Sequence, residues 1–176
     1  MTSGELSGQA LVTALEAIVR DDPKNGLAHL RLGYARLEGG DCRRAEPAFR
    51  AAIANGLPSA DAYLGLANCL GRRRDLAAAE RALNDARRLE PDNPVITANL
   101  AILLAEKGDV AAAVAAFESA LKADPDLHEA RFNLALTYAR AGRRAEAAAS
   151  ARELLSRLPP SAPQRAEVAR LLAAVQ

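Results

Sequence analysis

The chain has 176 residues, of which half are apolar but only 3% aromatic, and it has no tryptophan. Its formal net charge is +1, so no global field draws it to nucleic acid or to an anionic membrane. A core built from Ala, Leu, Val and Ile with so few rings points to close-packed helices rather than sheets.

The first 25 residues hold one amphipathic helix over positions 6–20, with Leu11, Leu15, Ile18 and Val19 apolar, closed by Pro23. Glu5 and Glu16 interrupt any secretory pattern, and no apolar run reaches the ~18 residues of a membrane span, so a cytoplasmic location is expected. The bias of the basic residues toward arginine fits a GC-rich bacterial genome.

Four units follow, at 26–59, 60–93, 94–127 and 128–161. Leu32, Leu66, Leu100 and Leu134 recur at a constant interval of 34 residues, each followed by a small residue (Gly33, Ala67, Ala101, Ala135). The same interval relates Ala45, Ala79, Ala113 and Ala147, then Phe49, Leu83, Phe117 and Ala151, and the closing prolines Pro91, Pro125 and Pro159. Each unit reads as two helices. In the third, Ile96, Leu100, Leu103 and Leu104 stripe a helix from Pro94 to Lys107, with Asn93 as its cap and Pro94 in its first turn, where a missing N–H costs nothing. Gly108 stops that helix, Asp109 caps the next, and Val110, Val114, Phe117 and Leu121 form the buried face of the second helix. The stop glycines Gly40, Gly108 and Gly142 become Arg74 in the second unit, which predicts local backbone strain. Residues 163–175, begun by Pro163, form a last amphipathic helix with Val168, Leu171, Leu172 and Val175 on one face. Gln164, Arg165, Glu167 and Arg170 are expected to face away. This helix is positioned to cap the apolar end of the stack.

The period, the helix–turn–helix unit and its small-residue and aromatic positions resemble the tetratricopeptide repeat over residues 26–161. The signature's tryptophan position holds His29, Tyr63, Thr97 and Arg131, and its tyrosine position holds Arg36, Leu70, Leu104 and Tyr138. The resemblance implies an all-α fold, a right-handed α-solenoid of antiparallel helix pairs. It also implies a non-enzymatic scaffold that holds an extended or helical peptide in a concave groove lined by the first helix of each unit. The inward-facing residues would then be Leu30, Arg31, Tyr34, Leu64, Asn68, Asn99, Ile102, Phe132, Asn133 and Leu136. The carboxylate clamp of chaperone-binding members needs a lysine at the fifth position of a unit. Those positions hold Leu30, Leu64, Ala98 and Phe132, and only Asn68 matches the clamp. The asparagine ladder of the O-GlcNAc-transferase-like repeats, at the sixth position, is matched by Asn99 and Asn133 but not by Arg31 or Gly65.

No catalytic constellation accompanies the repeats, and no cofactor or metal is expected. His29 and His128 stand in different units, and no phosphate loop, nucleophile elbow or metal-binding histidine pair occurs. Cys42 and Cys69 lie in different units without a CxxC, so neither a disulfide framework nor a zinc site is indicated. Cys69 occupies a small, buried position and Cys42 follows a turn. Arg43-Arg44, Arg72-Arg73-Arg74 and Arg143-Arg144 all fall at turns within units, as a solvated basic edge. The expected partner is a protein or peptide. A second copy of the chain, joined through the groove or the repeat ends, is the rival, and membership of a larger bacterial enzyme (glycosyltransferase or sulfatase-like) is another.

Overall fold

The structure, a computed structural model, describes residues 8–176. The first two positions of the helix expected over 6–20 lie outside the described residues. The chain forms two compact units, the first ending at Pro91 and the second beginning at Asp92. Among the described residues all regular structure is helical.

The first unit contains α1 (Gly8–Asp21), α2 (Gly26–Glu38), α3 (Cys42–Ala54), α4 (Ala60–Arg72) and α5 (Leu76–Leu89). Each helix packs on the next, and α2 also touches α4. Leu15 of α1 is buried with Leu32, Ala35 and Ala48, so the first helix closes one end of this unit. The centre is Phe49, fully buried on α3. Its ring lies where Cβ atoms at Gly33 and Gly65 would stand, at 2.7 and 2.3 Å, so α2 and α4 approach it only because both residues are glycine. Burying such a ring contributes about 1.5–3 kcal/mol.

The second unit contains α6 (Pro94–Glu106), α7 (Val110–Ala123), α8 (His128–Arg140), α9 (Arg144–Arg157) and α10 (Arg165–Val175). Again each helix packs on the next, and α8 touches both α6 and α10. Phe117 occupies the place Phe49 holds in the first unit, fully buried among Ala101, Ala113, Leu134 and Ala147. At the far end Val168 of α10 is buried with Ala135, Ala151, Leu154 and Leu158. The last helix starts two residues later than the proline suggests, and Arg165 does not face away from the stack. Its Nη1 donates to the carbonyls of Leu155 and Leu158, both at 2.7 Å, and so satisfies the C-terminal end of α9.

The turn inside each repeat is the same. A residue with positive φ (Gly40 at 78°, Arg74 at 63°, Gly108 at 86°, Gly142 at 74°) ends the first helix. The next residue's N–H reaches back five residues, as from Asp41 to Arg36, Asp75 to Leu70 and Asp109 to Leu104. Asp41, Asp75 and Asp109 then cap the second helices by accepting from Arg44, Ala78 and Ala112. Arg143 stands at the fourth such position and makes no side-chain cap.

Candidate functional site

Within each unit the first helices of neighbouring repeats touch, α2 with α4 and α6 with α8, while the second helices, α3 with α5 and α7 with α9, do not. First helices therefore form the closely spaced layer of each unit, and the ten predicted residues stand on that layer. They fall into two groups, Leu30, Arg31, Tyr34, Leu64 and Asn68 in the first unit and Asn99, Ile102, Phe132, Asn133 and Leu136 in the second.

In the first unit Arg31 and Asn68 are exposed, and Leu30, Tyr34 and Leu64 are half-buried. Tyr34 does more than line a surface. Its ring meets Phe49 edge-on at a centroid distance of 5.1 Å, and its hydroxyl donates to the Asp61 carbonyl at 2.7 Å, tying α2 to α4. Burial, and then the Asp61 carboxylate, push its pKa up to about 12. Gly65, read from sequence as an inward-facing sixth position, is buried against Phe49.

In the second unit all five residues are half-buried. The Asn99 amide donates to the Val95 carbonyl one turn back at 2.9 Å, and the Asn133 backbone carbonyl accepts from Thr137. Ile102 packs on the cluster around Phe117, and Phe132 on the cluster around Val168. Leu136 belongs to neither cluster. The two layers thus offer amides, which can both donate and accept hydrogen bonds, together with aliphatic side chains.

Two crevices lie on the other side, between successive second helices. In the first unit one of about 380 Å³ is lined by Ile53 of α3, Tyr63 and Leu66 of α4 and Arg81 of α5. In the second unit one of about 570 Å³ is lined by Glu118 and Lys122 of α7, Arg131 and Tyr138 of α8 and Glu153 of α9. Tyr63 and Arg131 both stand at the tryptophan position of the repeat. Arg131 is only 7% exposed. It pairs with Glu153 at 2.8 Å and donates to the Pro125 carbonyl, while burial pulls its pKa down against that carboxylate. Sequence reading did not identify this buried arginine, because a charged residue at a variable position looks like surface.

His29 bonds the Pro23 carbonyl at 2.9 Å, and no group of His, Cys, Asp and Glu suited to a metal occurs among the described residues. The arginine-rich turns are partly neutralised in place. Arg44 pairs with Asp41 at 3.7 Å, Arg73 with Glu46, and Arg143 with Glu146 at 2.9 Å while lying 4.5 Å over the Tyr138 ring. The Glu146 carboxyl is held below its ordinary value by its own backbone N–H and by Arg143. Among the described residues no helix is long and apolar enough to cross a membrane.

The tetratricopeptide repeat family profile matches residues 30–94 and 98–163. Among solved structures, the chain is similar to TTC0263, a thermophilic protein of this class in Thermus thermophilus, with 24% identity and a TM-score of 0.82 over 94% of this chain and 91% of that one. It is also similar to MamA, with 23% identity and a TM-score of 0.70 over 85% and 87% of the two chains. A third similar structure is YrrB, described as having an unusual peptide-binding site, with 20% identity and a TM-score of 0.65 over 92% and 82%. No curated protein matches the chain by sequence.

Proposed function

Because the chain belongs to the tetratricopeptide repeat family, we propose that it is a non-enzymatic scaffold whose first-helix layers bind an extended or helical peptide. The observation that carries this reading is the layer arrangement. Each unit packs its first helices side by side and leaves half-buried aliphatic residues on them, Leu30 and Leu64 in one unit and Ile102 and Leu136 in the other. Half-buried aliphatic side chains on a rigid helix layer are ready to lose their remaining water contact to a partner at little ordering cost. Asn68, Asn99 and Asn133 add amides able to bond a peptide backbone whatever its sequence. The peptide-binding site named for YrrB supports the reading by analogy of fold.

Peptides selected from a random library on the immobilised protein test this directly. Leu64→Glu and Leu136→Glu, each on the first-helix layer, should weaken the selected peptides by about tenfold or more while helicity is retained. Arg152→Glu, on the exposed outer side of α9, should leave affinity unchanged. Equal affinity in all three variants would refute the assignment. Leu136 is the better probe in the second unit, since Phe132 is packed on the terminal cluster and a charge there would also cost folding energy.

A further inference from the structure

Cys42 and Cys69, which the sequence places in different repeats, meet at the α3–α4 seam of the first unit. Cys42 is the first residue of α3, directly after its Asp41 cap, and is half-buried. Cys69 lies in the last turn of α4 and is fully buried. The Cys69 thiol lies near enough to the Cys42 thiol to be influenced by it. Arg72, one turn beyond Cys69, donates from Nη1 to Cys42 Sγ at 3.7 Å. Arg73 pairs with Glu46, one turn beyond Cys42. Two cross-helix contacts therefore tie the start of α3 to the end of α4, where the two cysteines stand.

The repeat pattern does not call for sulfur at either place. Positions equivalent to Cys42 hold Leu76, Val110 and Arg144, and those equivalent to Cys69 hold Ala35, Leu103 and Thr137. Stacking is satisfied by several residue types at both positions, yet the one seam that carries cysteine carries it on both helices.

We propose that Cys42 and Cys69 form a reversible intramolecular disulfide, a redox-modification site clamping the second helix of the first repeat to the first helix of the second. Cys42, the half-buried member of the pair, is the more accessible to an oxidant, whereas burial pushes the Cys69 thiol up to about 12. The order of events follows. With hydrogen peroxide as oxidant, the Cys42 sulfur attacks one peroxide oxygen and the O–O bond breaks. Cys42 becomes a sulfenic acid, and the departing hydroxide takes the thiol proton to give water. The Cys69 sulfur then attacks the Cys42 sulfur, the S–O bond breaks, and the sulfenic hydroxyl leaves with the Cys69 proton as a second water. Two thiols and one peroxide thus yield one disulfide and two waters. The bond would fix the position of α4, the helix that bears Leu64 and Asn68, against α3.

The test treats the native protein with graded hydrogen peroxide, quenches in acid, alkylates remaining thiols and digests with trypsin. Cleavage places Cys42 in fragment 37–43 and Cys69 in fragment 51–72. Expected are simultaneous loss of both thiols, a species joining 37–43 to 51–72 within monomeric protein, and full reversal by dithiothreitol. Cys69→Ala should instead accumulate Cys42 sulfenic acid, trapped by dimedone. The proposal is overturned if Cys42 is consumed while Cys69 stays alkylatable, if oxidation yields a chain-to-chain dimer, or if both thiols survive peroxide that oxidises them in urea.

Discussion

Arg74 holds a φ of 63°, in the left-handed region where the equivalent residues are all glycine. A side chain there costs about 1–2 kcal/mol, and the turn keeps its Asp75-to-Leu70 hydrogen bond regardless, so the surrounding helices enforce the conformation. Arg74→Gly should therefore stabilise the protein by about 1 kcal/mol and raise Tm by about 2–4 °C in a thermal melt followed by circular dichroism. Gly65 is the opposite case. A Cβ there would lie 2.3 Å from a Phe49 ring that is fully buried and has nowhere to swing. Gly65→Ala should lower stability by about 1–3 kcal/mol in urea titrations, overriding the ~0.5–1 kcal/mol that alanine normally gains in a helix. The strain at Arg74 was legible in the sequence because the period aligns it with three glycines. The role of Gly65 was not, because a residue without a side chain carries no sign of the surface it faces. Only the position of Phe49 assigns it to the packing between helices.

At the scale of the element, helix starts follow the sequence closely where a short polar residue stands at the cap. Asn25, Asn93 and the three aspartates each accept a backbone N–H, and Ser59 does the same for α4. α8 and α9 have Leu127 and Arg143 at their caps, without such a bond. Asp109→Ala should cost about 1 kcal/mol and be felt first in α7, as faster amide hydrogen exchange across Val110–Ala113. The C-terminal helix was legible as an element but not in its polar contacts. Pro163 opens a turn before the helix instead of its first residue, and Arg165 folds inward onto the carbonyls that end α9. Periodicity assigns an arginine to the solvent side by default. It cannot register that the preceding helix ends nearby with unsatisfied acceptors.

At the scale of the molecule, the residues that stack helices recur from repeat to repeat, and this is why the architecture was legible in a single sequence. Leu32, Leu66 and Leu134 recur because each is buried between helices, and Leu100 keeps the period half-buried. The residues offered to a ligand do not repeat, since Leu30, Leu64, Ala98 and Phe132 share a position and little else, so the partner's identity is not written in the period. The structure adds a competitor to the first-helix layers, the two crevices between second helices with their Tyr63 and Arg131 floors. A library-selected peptide titrated into isotopically labelled protein, with backbone amide shifts followed by NMR, separates the two. The account predicts the largest shifts on α2, α4, α6 and α8, centred on Leu30, Leu64, Asn99 and Leu136; shifts concentrated on α3, α5, α7 and α9 around the crevices would contradict it.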